Sequence, residues 1–590
     1  MSGAPAGLAR PPITFERLCD YTPLRLSLFM WLCVYATWAI FHAPRASGGT
    51  QDWQFFEMLD EVARKSVLEY GQFPLWNPYW CGGITHVGNP QTTFLTPTFP
   101  LVLWFGSTLG ERLSILAVLI VACEGGYRLC RFLGMGAPAA LLGAVSYPLF
   151  GRSLGWLTDG QMGLHGITLA PWVIYGWLRG LDERRYLVLG AAFLAWILAF
   201  RGIQPGPQLA LALGLWALLL GRKVLLETGS PWRALWPLAA LAIVGVLAAG
   251  FIGVRMLPVL DTVLSHPRIV NDHTSNNLTS AWFEILAMPP ATRGYSASGY
   301  AFVGHATFAL FLGALVFAAP RRRAAIPLVI AVTFMFITLG DHGEFSLYHQ
   351  LHRLPFYKSL RNPTLYVFTG ALFVVLGGAT ALDELDRWLG ARPRRWARRL
   401  AWLAPVVALG TGVQLAWLIH RYAGPEVFSV EAAQRVPQEF KQSRGNHFVA
   451  PLWPNFDRGS LDCYDETPWA GSPLLRADAA SEEYLADPGA GTVRREAWSP
   501  NRIELSVDLA RPARLLVNQN WDRGWRASVG RVRSEQGLLA VDLPAGRRTV
   551  ALTMRPPLVL WGLAWTALTL AAAAWLIRGD PTRRKAPPVG

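Results

Sequence analysis

The chain has 590 residues, of which 52% are hydrophobic and only 16% are charged. Soluble domains carry about 25% charged residues, so this composition indicates a membrane protein and excludes a disordered chain or, with six cysteines, a disulfide-stapled secreted scaffold. The net charge of +15 comes from basic residues clustered between apolar stretches, which is typical of membrane topology and does not favour nucleic-acid binding.

Twelve apolar stretches approach the length of about 20 residues that a membrane-spanning helix needs. They cover residues 25–43, 110–130, 136–151, 163–179, 186–201, 205–221, 234–256, 301–319, 325–339, 363–382, 400–420 and 557–577. Several are short or interrupted by Gly and Pro, so the count could differ by one or two. With a cytoplasmic N-terminus, every loop assigned inside is basic, which predicts that both ends lie inside. No small-residue cleavage site follows the first span, so we expect a retained anchor.

This topology divides the chain into four parts. We predict a cytoplasmic N-terminal segment (1–24), a transmembrane domain (25–420), an outside β-rich domain (421–556), and a last span with a basic tail (557–590). The first outside loop, 44–109, contains apolar residues at helical spacing over 52–69, which predicts an amphipathic helix along the interface. Glu57 and Asp60 would lie on its solvated face. Asp52 would begin this helix, either as an N-cap or as a functional acid.

The second half of the first loop is rich in Pro, Gly and aromatic residues. The run 74–83, PLWNPYWCGG, predicts neither regular helix nor strand. A rigid aromatic loop with polar tips suits a sugar or lipid headgroup, and an ordinary connector anchored by Trp and Tyr is the alternative. The residues that would face a substrate are Trp76, Asn77, Tyr79, Gly82, Gly83, Asn89 and Gln91.

The run PLWNPYWCGGITHVGNPQTTFLTP resembles the signature of the YfhO-like bacterial membrane proteins, which belong to the GT-C superfamily of glycosyltransferases. Weaker similarities lie in LCRFLGMGAPAALLGAVSYPLFG, GIQPGPQ, LPFYKSLRNPTLY and NWDRGWRASVG with LPAG. The resemblance implies a GT-C-like fold that transfers a sugar from a polyprenyl-phosphate donor on the outer face of the membrane. This chain is short for the family and has fewer spans near its end.

The resemblance also implies roles for acidic residues. The superfamily places a catalytic base just after the first span, where Asp52 matches, and a carboxylate there can take the acceptor's proton. Glu57 and Asp60 are the other acids of that helix. Asp159 and His165 match a second outside site that binds acceptor or metal, with a loop acid and a surface His as the alternative. A divalent metal is compatible with the resemblance, but one Asp and one His are too few to predict a metal site.

The donor phosphate requires cations, and Arg can hold phosphate oxygens bidentately. The candidates near the outer face are Arg201, Arg255, Arg268 and Arg361. Arg361 is favoured because LRNP resembles the family's Arg-x-Pro pattern, and Arg268 is second. Snorkelling or pairing with a loop acid is the alternative for each. Glu124, within the second span, is explained by an i,i+4 pair with Arg128.

The outside domain shows short alternating runs at 502–509, 513–517, 537–543 and 548–554, which predict strands of a small β-sandwich. Its aromatic residues Trp521, Trp525 and Tyr464 could stack on sugar or pack in the core. Cys81 and Cys463 both lie outside, so their pairing is a hypothesis that would tie this domain to the first loop.

These observations favour a membrane glycosyltransferase in the bacterial inner membrane, with a lipid-linked sugar as donor and an envelope glycan or glycolipid as acceptor. The second hypothesis is a transporter or flippase of lipid-linked saccharides. The third hypothesis is a non-catalytic envelope scaffold whose β-rich domain binds glycan. Transporters usually contain internal repeats, and none is evident here. No P-loop or dinucleotide fingerprint is present, so use of ATP or NAD is not expected.

Overall fold

The computed structural model combines a helical domain with a strand-rich domain and a C-terminal helix. It describes residues 15–42, 49, 52–202, 205–270, 272–278, 286, 289, 301–392, 400, 402–429, 438–444, 453–463, 467–477 and 479–579. Tyr464 and most of the N-terminal segment and basic tail lie outside these residues.

The helical domain is built from helices of very different length. Among the described residues, the helices up to residue 270 are α1 Phe15–Asp20, α2 Thr22–Ala36, α3 Ala39–His42, α4 Asp52–Leu68, α5 Phe99–Phe132, α6 Ala137–Ser146, α7 Gly151–Asp159, α8 Ala170–Gly180, α9 Arg185–Ala199, α10 Pro205–Thr228, α11 Pro231–Phe251 and α12 Gly253–Ser265. Those that follow are α13 His305–Val316, α14 Ala318–Arg323, α15 Ala325–Ile337, α16 Leu347–His352, α17 Val367–Gly390, α18 Leu403–Tyr422 and α19 Pro557–Arg578.

The chain is a polytopic helical membrane protein. Among the described residues, six helical segments are long and apolar enough to cross a membrane: Phe99–Phe132, Pro205–Thr228, Pro231–Phe251, Pro363–Gly390, Leu403–Tyr422 and Pro557–Arg578. The other predicted spans also fall on helical segments, but α2, α9, α13 and α15 have only 10–17 residues. The count of twelve spans therefore stays a prediction. Within α5, Gly106 has non-helical angles (φ 84°, ψ 164°), so the predicted start near residue 110 follows a break in the helix.

The strand-rich domain contains two four-stranded antiparallel sheets. The strands are β5 Glu483–Leu485, β6 Gly491–Ser499, β7 Arg502–Leu509, β8 Ala513–Asn520, β9 Trp525–Ala527, β10 Arg531–Glu535, β11 Leu538–Leu543 and β12 Gly546–Met554. Their orders in the two sheets are β10-β11-β8-β5 and β6-β7-β12-β9. Alternate residues such as Leu505, Leu515 and Val550 enter one shared core, as the alternating pattern predicts.

Short strands lie outside these sheets. In the first loop, β1 (Trp76–Asn77) pairs antiparallel with β2 (Ile84–Thr85), so the prediction that 74–83 contains no strand is wrong for two residues. Farther along, β3 (Lys441–Ser443) pairs parallel with β4 (Arg458–Ser460).

The first loop lies between the helical and strand-rich domains. Trp76 is buried, donates from Nε1 to Gln519 Oε1 at 2.8 Å, and packs edge-on against Trp525. Tyr79 is buried and donates to Asp457 Oδ1 at 3.0 Å. Cys81 forms a disulfide with Cys463, as hypothesised. The aromatic rings therefore hold two domains together, which corrects the prediction of a loop that presents them to a substrate.

Candidate functional site at the start of helix α4

Helix α4 is enclosed by protein on nearly all sides. Thirteen of its 17 residues are buried, including Glu57 and Asp60. The prediction of an interfacial helix with these two acids on a solvated face is therefore wrong. Burial raises the pKa of Glu57 to about 7, while Arg112 and the Gly49 N–H, which donates to both carboxylate oxygens at 3.2 Å, oppose the shift.

The first turn of α4 meets the end of α7. Trp53 Nε1 donates to the Leu157 carbonyl oxygen at 2.9 Å. Gly160 has φ +75°, and a Cβ atom built on it would lie 2.1 Å from Trp53 N and 2.8 Å from Asp52 C. Only glycine tolerates both that backbone angle and this close approach. Gly160 therefore lets the turn after α7 pass against the first turn of α4, and this places Asp159 beside Asp52.

Asp159 is a buried carboxyl with an open acceptor atom. It is only 2% exposed, its Oδ1 accepts from Thr158 Oγ1 at 3.0 Å, and its Oδ2 has no hydrogen-bond partner among the described residues. Burial raises its pKa to about 6, Arg152 lowers it, and the Asp52 carboxylate raises it. The two predicted acids are thus close enough to interact electrostatically, and Asp52 is the more exposed of the pair.

Arg152, which the sequence analysis did not single out, supplies positive charge to this site. It is buried, hydrogen-bonds Gln161, and stacks over the Phe368 ring with 4.7 Å between guanidinium carbon and ring centroid. The sequence offered one signal for this role: Arg152 lies seven residues before Asp159, on the same short helix. The site therefore combines two carboxyl groups with one guanidinium.

A second buried network anchors α4 farther along the helix, at Asp60. Arg201 forms ion pairs with Asp60, at 3.4 Å, and with Glu111, and it donates to the Gln91 carbonyl oxygen at 2.8 Å. Arg255 donates to the Pro90 carbonyl oxygen at 2.7 Å. Both arginines are buried, so they hold the first loop in place, which corrects their inclusion among cations that face a donor phosphate.

The remaining predicted site residues are distributed over several environments. His165 is fully buried within a 3-10 segment, Met162–Leu169, which removes the alternative of a surface His and leaves its predicted role at a second site a prediction. Asn89 is buried and its Oδ1 accepts from Gln91 N at 2.8 Å. The side chains and backbone of Asn77, Gly82 and Gly83 are likewise enclosed by protein.

The two favoured phosphate-binding arginines lie on adjoining segments. Val270 N donates to the Lys358 carbonyl oxygen at 3.1 Å, which joins the segment of Arg268 to that of Arg361. Arg361 is exposed and Arg268 is half-buried. Glu124 pairs with Arg128 at 2.7 Å, as predicted, and also with Arg25 at 2.8 Å.

No group of three or more His, Cys, Asp or Glu side chains able to hold a metal ion occurs among the described residues. Asp52 and Asp159 are the two carboxyl ligands that the candidate site could offer. A divalent cation there would need further oxygen ligands from substrate or water.

Comparison with known proteins gives distant structural similarities. No protein-family model and no curated protein sequence matches the chain. The chain is similar to the arabinofuranosyltransferase AftD from Mycobacteria (TM-score 0.41, 19% identity), covering 68% of this chain but 27% of AftD. It is similar to ArnT from Cupriavidus metallidurans bound to undecaprenyl phosphate (TM-score 0.45, 14% identity), covering 76% and 87% of the two chains. The oligosaccharyltransferase AglB from Archaeoglobus fulgidus gives a TM-score of 0.41 at 14% identity, covering 77% and 65%.

Proposed function

We propose that the protein is a membrane glycosyltransferase that transfers a sugar from a polyprenyl-phosphate donor to an envelope glycan or glycolipid on the outer face of the bacterial inner membrane. The observation that carries the proposal is the convergence of Asp52 and Asp159 at the first turn of α4. Two carboxyl groups of unequal exposure beside a guanidinium can divide the tasks of proton removal and substrate positioning. The resemblance of the first-loop motif to YfhO-like proteins supports the same function.

In this proposal, the Asp52 carboxylate takes the proton of an acceptor hydroxyl as that oxygen attacks the anomeric carbon of the donor. A new glycosidic bond forms, the bond between the anomeric carbon and the phosphate oxygen breaks, and polyprenyl phosphate leaves with both electrons of that bond. Asp159 orients the acceptor through its open Oδ2 atom. Arg361 and Arg268, on adjoining segments, bind the phosphate. Attack from the face opposite the phosphate inverts the anomeric centre.

The test is donor consumption by the full chain in lipid nanodiscs. A panel of polyprenyl-phosphate sugars would be supplied with crude envelope acceptor, and the wild type would be compared with Asp52→Asn and Asp159→Asn. Loss of a general base lowers turnover by about 10²- to 10⁴-fold, so we expect that loss for Asp52→Asn. Asp508→Asn is the matched control, because Asp508 is exposed on β7 of the strand-rich domain.

The outcomes separate the candidate functions. Transfer by the wild type and by Asp508→Asn, without transfer by Asp52→Asn, supports the proposal. Consumption of no donor by any folded protein overturns it and leaves transport or scaffolding. Equal turnover of Asp52→Asn and wild type would retain a transferase but remove Asp52 from its chemistry.

A further inference from the structure

A pocket with polar and aromatic side chains lies at the junction of five parts of the chain. Helix α12 with His266 after it, the end of β2, the segment of Trp469, the segment after β8 and the start of α19 enclose a cavity of about 270 Å³. Its lining includes Asp261, His266, Trp469, Trp521, Asp522 and Arg523. Strand β2 and Asp52 both belong to the first loop, so the pocket lies on the same side of the membrane as Asp52.

Two ring nitrogens in the pocket wall lack partners. His266 Nδ1 and Trp469 Nε1 are both buried with no hydrogen-bond partner among the described residues. The two rings are in contact, with 4.8 Å between their centroids. Buried polar atoms in native proteins are nearly always hydrogen-bonded, so these two nitrogens are suited to a ligand that supplies hydroxyl groups.

An aromatic face and carboxyl groups complete the pocket. Trp521 is 40% exposed, which leaves its indole accessible. Asp522 follows it, accepting from Gly524 N at 2.6 Å, and burial raises the pKa of its carboxyl. Arg523 forms an ion pair with Asp261 that joins α12 to the strand-rich domain. Two carboxyl groups against one paired guanidinium disfavour an anionic ligand.

We propose that this pocket binds a neutral or amino saccharide, and that it holds the acceptor glycan. The apolar face of a sugar ring packs on an indole, and its hydroxyls pair with carboxylates and ring nitrogens. The assignment to the acceptor rests on the proposed transferase function, whereas saccharide binding itself does not.

The test measures saccharide binding to the full chain in nanodiscs with no donor present. The probes are methyl glycosides and disaccharides of hexoses, pentoses and 2-amino-hexoses, with glucose 6-phosphate as the anionic comparison, detected by saturation-transfer NMR. Trp521→Ala removes one stacking face, so we expect the dissociation constant to rise about tenfold. Trp232→Ala is the control, because Trp232 is 81% exposed at the start of α11.

Binding of a neutral or amino sugar that weakens in Trp521→Ala and in Asp522→Asn, but not in Trp232→Ala, supports the pocket. Absence of saccharide binding, binding that Trp521→Ala leaves unchanged, or preference for glucose 6-phosphate overturns it. Donor turnover is measured separately. Saccharide binding without donor turnover would contradict only the transferase function. Donor turnover without saccharide binding in this pocket would contradict only this inference.

Discussion

Lys65 Nζ donates a 2.5 Å hydrogen bond to Asp457 Oδ1, across 392 positions of the sequence. The ammonium group also donates to the Pro454 carbonyl oxygen at 2.7 Å and lies 5.5 Å from the Tyr79 ring centroid. The lysine is 2% exposed, so this ion pair is buried between α4 and the strand-rich domain. The helix that begins at Asp52 is thereby fixed at its far end by the other domain.

Removing the lysine charge should destabilise the protein strongly. In Lys65→Met, Asp457 would keep a buried carboxylate without its cation, and breaking a buried pair costs about 3–5 kcal/mol. Thermal unfolding in nanodiscs measures the loss. Lys223→Met, which removes an exposed pair with Glu227, should change little. The double variant Lys65→Met/Asp457→Asn should regain part of the stability, and equal stability of all four proteins would contradict the pairing.

The disulfide should survive purification and contribute to stability. Peptide mapping under non-reducing conditions should recover the peptide of Cys81 linked to that of Cys463. Loss of a native disulfide costs about 2–5 kcal/mol, so Cys81→Ser should unfold at a lower temperature. Reductant should lower the unfolding temperature of the wild type but not of this variant. Recovery of both cysteines as free thiols would refute the bond.

Gly83 should tolerate no side chain. It has φ +103°, and a Cβ atom there would lie 2.7 Å from Trp76 Cζ2. Gly71 also has a positive φ, +59°, but open space around it. Both alanine variants suffer backbone strain, and Gly83→Ala alone also displaces a buried Trp, so it should be less stable than Gly71→Ala by about 1–3 kcal/mol. Equal unfolding temperatures would contradict this packing.

Glu57 should make stability depend on pH. Burial raises its pKa to about 7 from the usual 4.5, so the folded state holds this proton more tightly than the unfolded state. Its contribution to stability is then fully present below about pH 4.5 and is lost as the pH rises through about 7. The shift corresponds to about 3 kcal/mol. Unfolding of Glu57→Gln should vary less over this interval, and parallel pH profiles would argue against the buried carboxyl.

The pH dependence of transfer should report Asp159. Its pKa of about 6 predicts that turnover rises with pH through that value, if the ionised carboxylate positions the acceptor. The guanidinium of Arg152 lowers this pKa, so Arg152→Gln should move the midpoint to higher pH. Asp159→Asn should lose the step altogether. A midpoint that neither substitution alters would assign the titration to another group.

The length of the apolar stretches and the alternation of apolar and polar residues were sufficient to locate most helices and strands. The run 502–509 coincides with β7 (Arg502–Leu509), because strand alternation is a local property of the sequence. Burial of α4 could not be derived in that way. Its acids occupy the polar positions of an amphipathic pattern, and the arginines that pair with or face them, such as Arg201 for Asp60, are distant in sequence.

The candidate site was predictable only in part. Asp52 and Asp159 were found through family resemblance, and their proximity depends on the turn at Gly160, which no local pattern specifies. The roles of Trp76 and Tyr79 were misjudged because an aromatic loop at a membrane surface and one that packs between domains have the same composition. Their partners, Gln519 and Asp457, lie about 400 residues farther along the chain.

The bond between Cys81 and Cys463 also constrains how the protein is made. Ribosomes synthesise the chain from its N-terminus, so Cys463 is added 382 positions after Cys81. Since disulfides form in oxidising compartments, both cysteines must reach that compartment before the bond can close. The first loop therefore lacks its covalent tie until most of the protein has been synthesised, and its attachment to the segment of Cys463 is a late step of biogenesis.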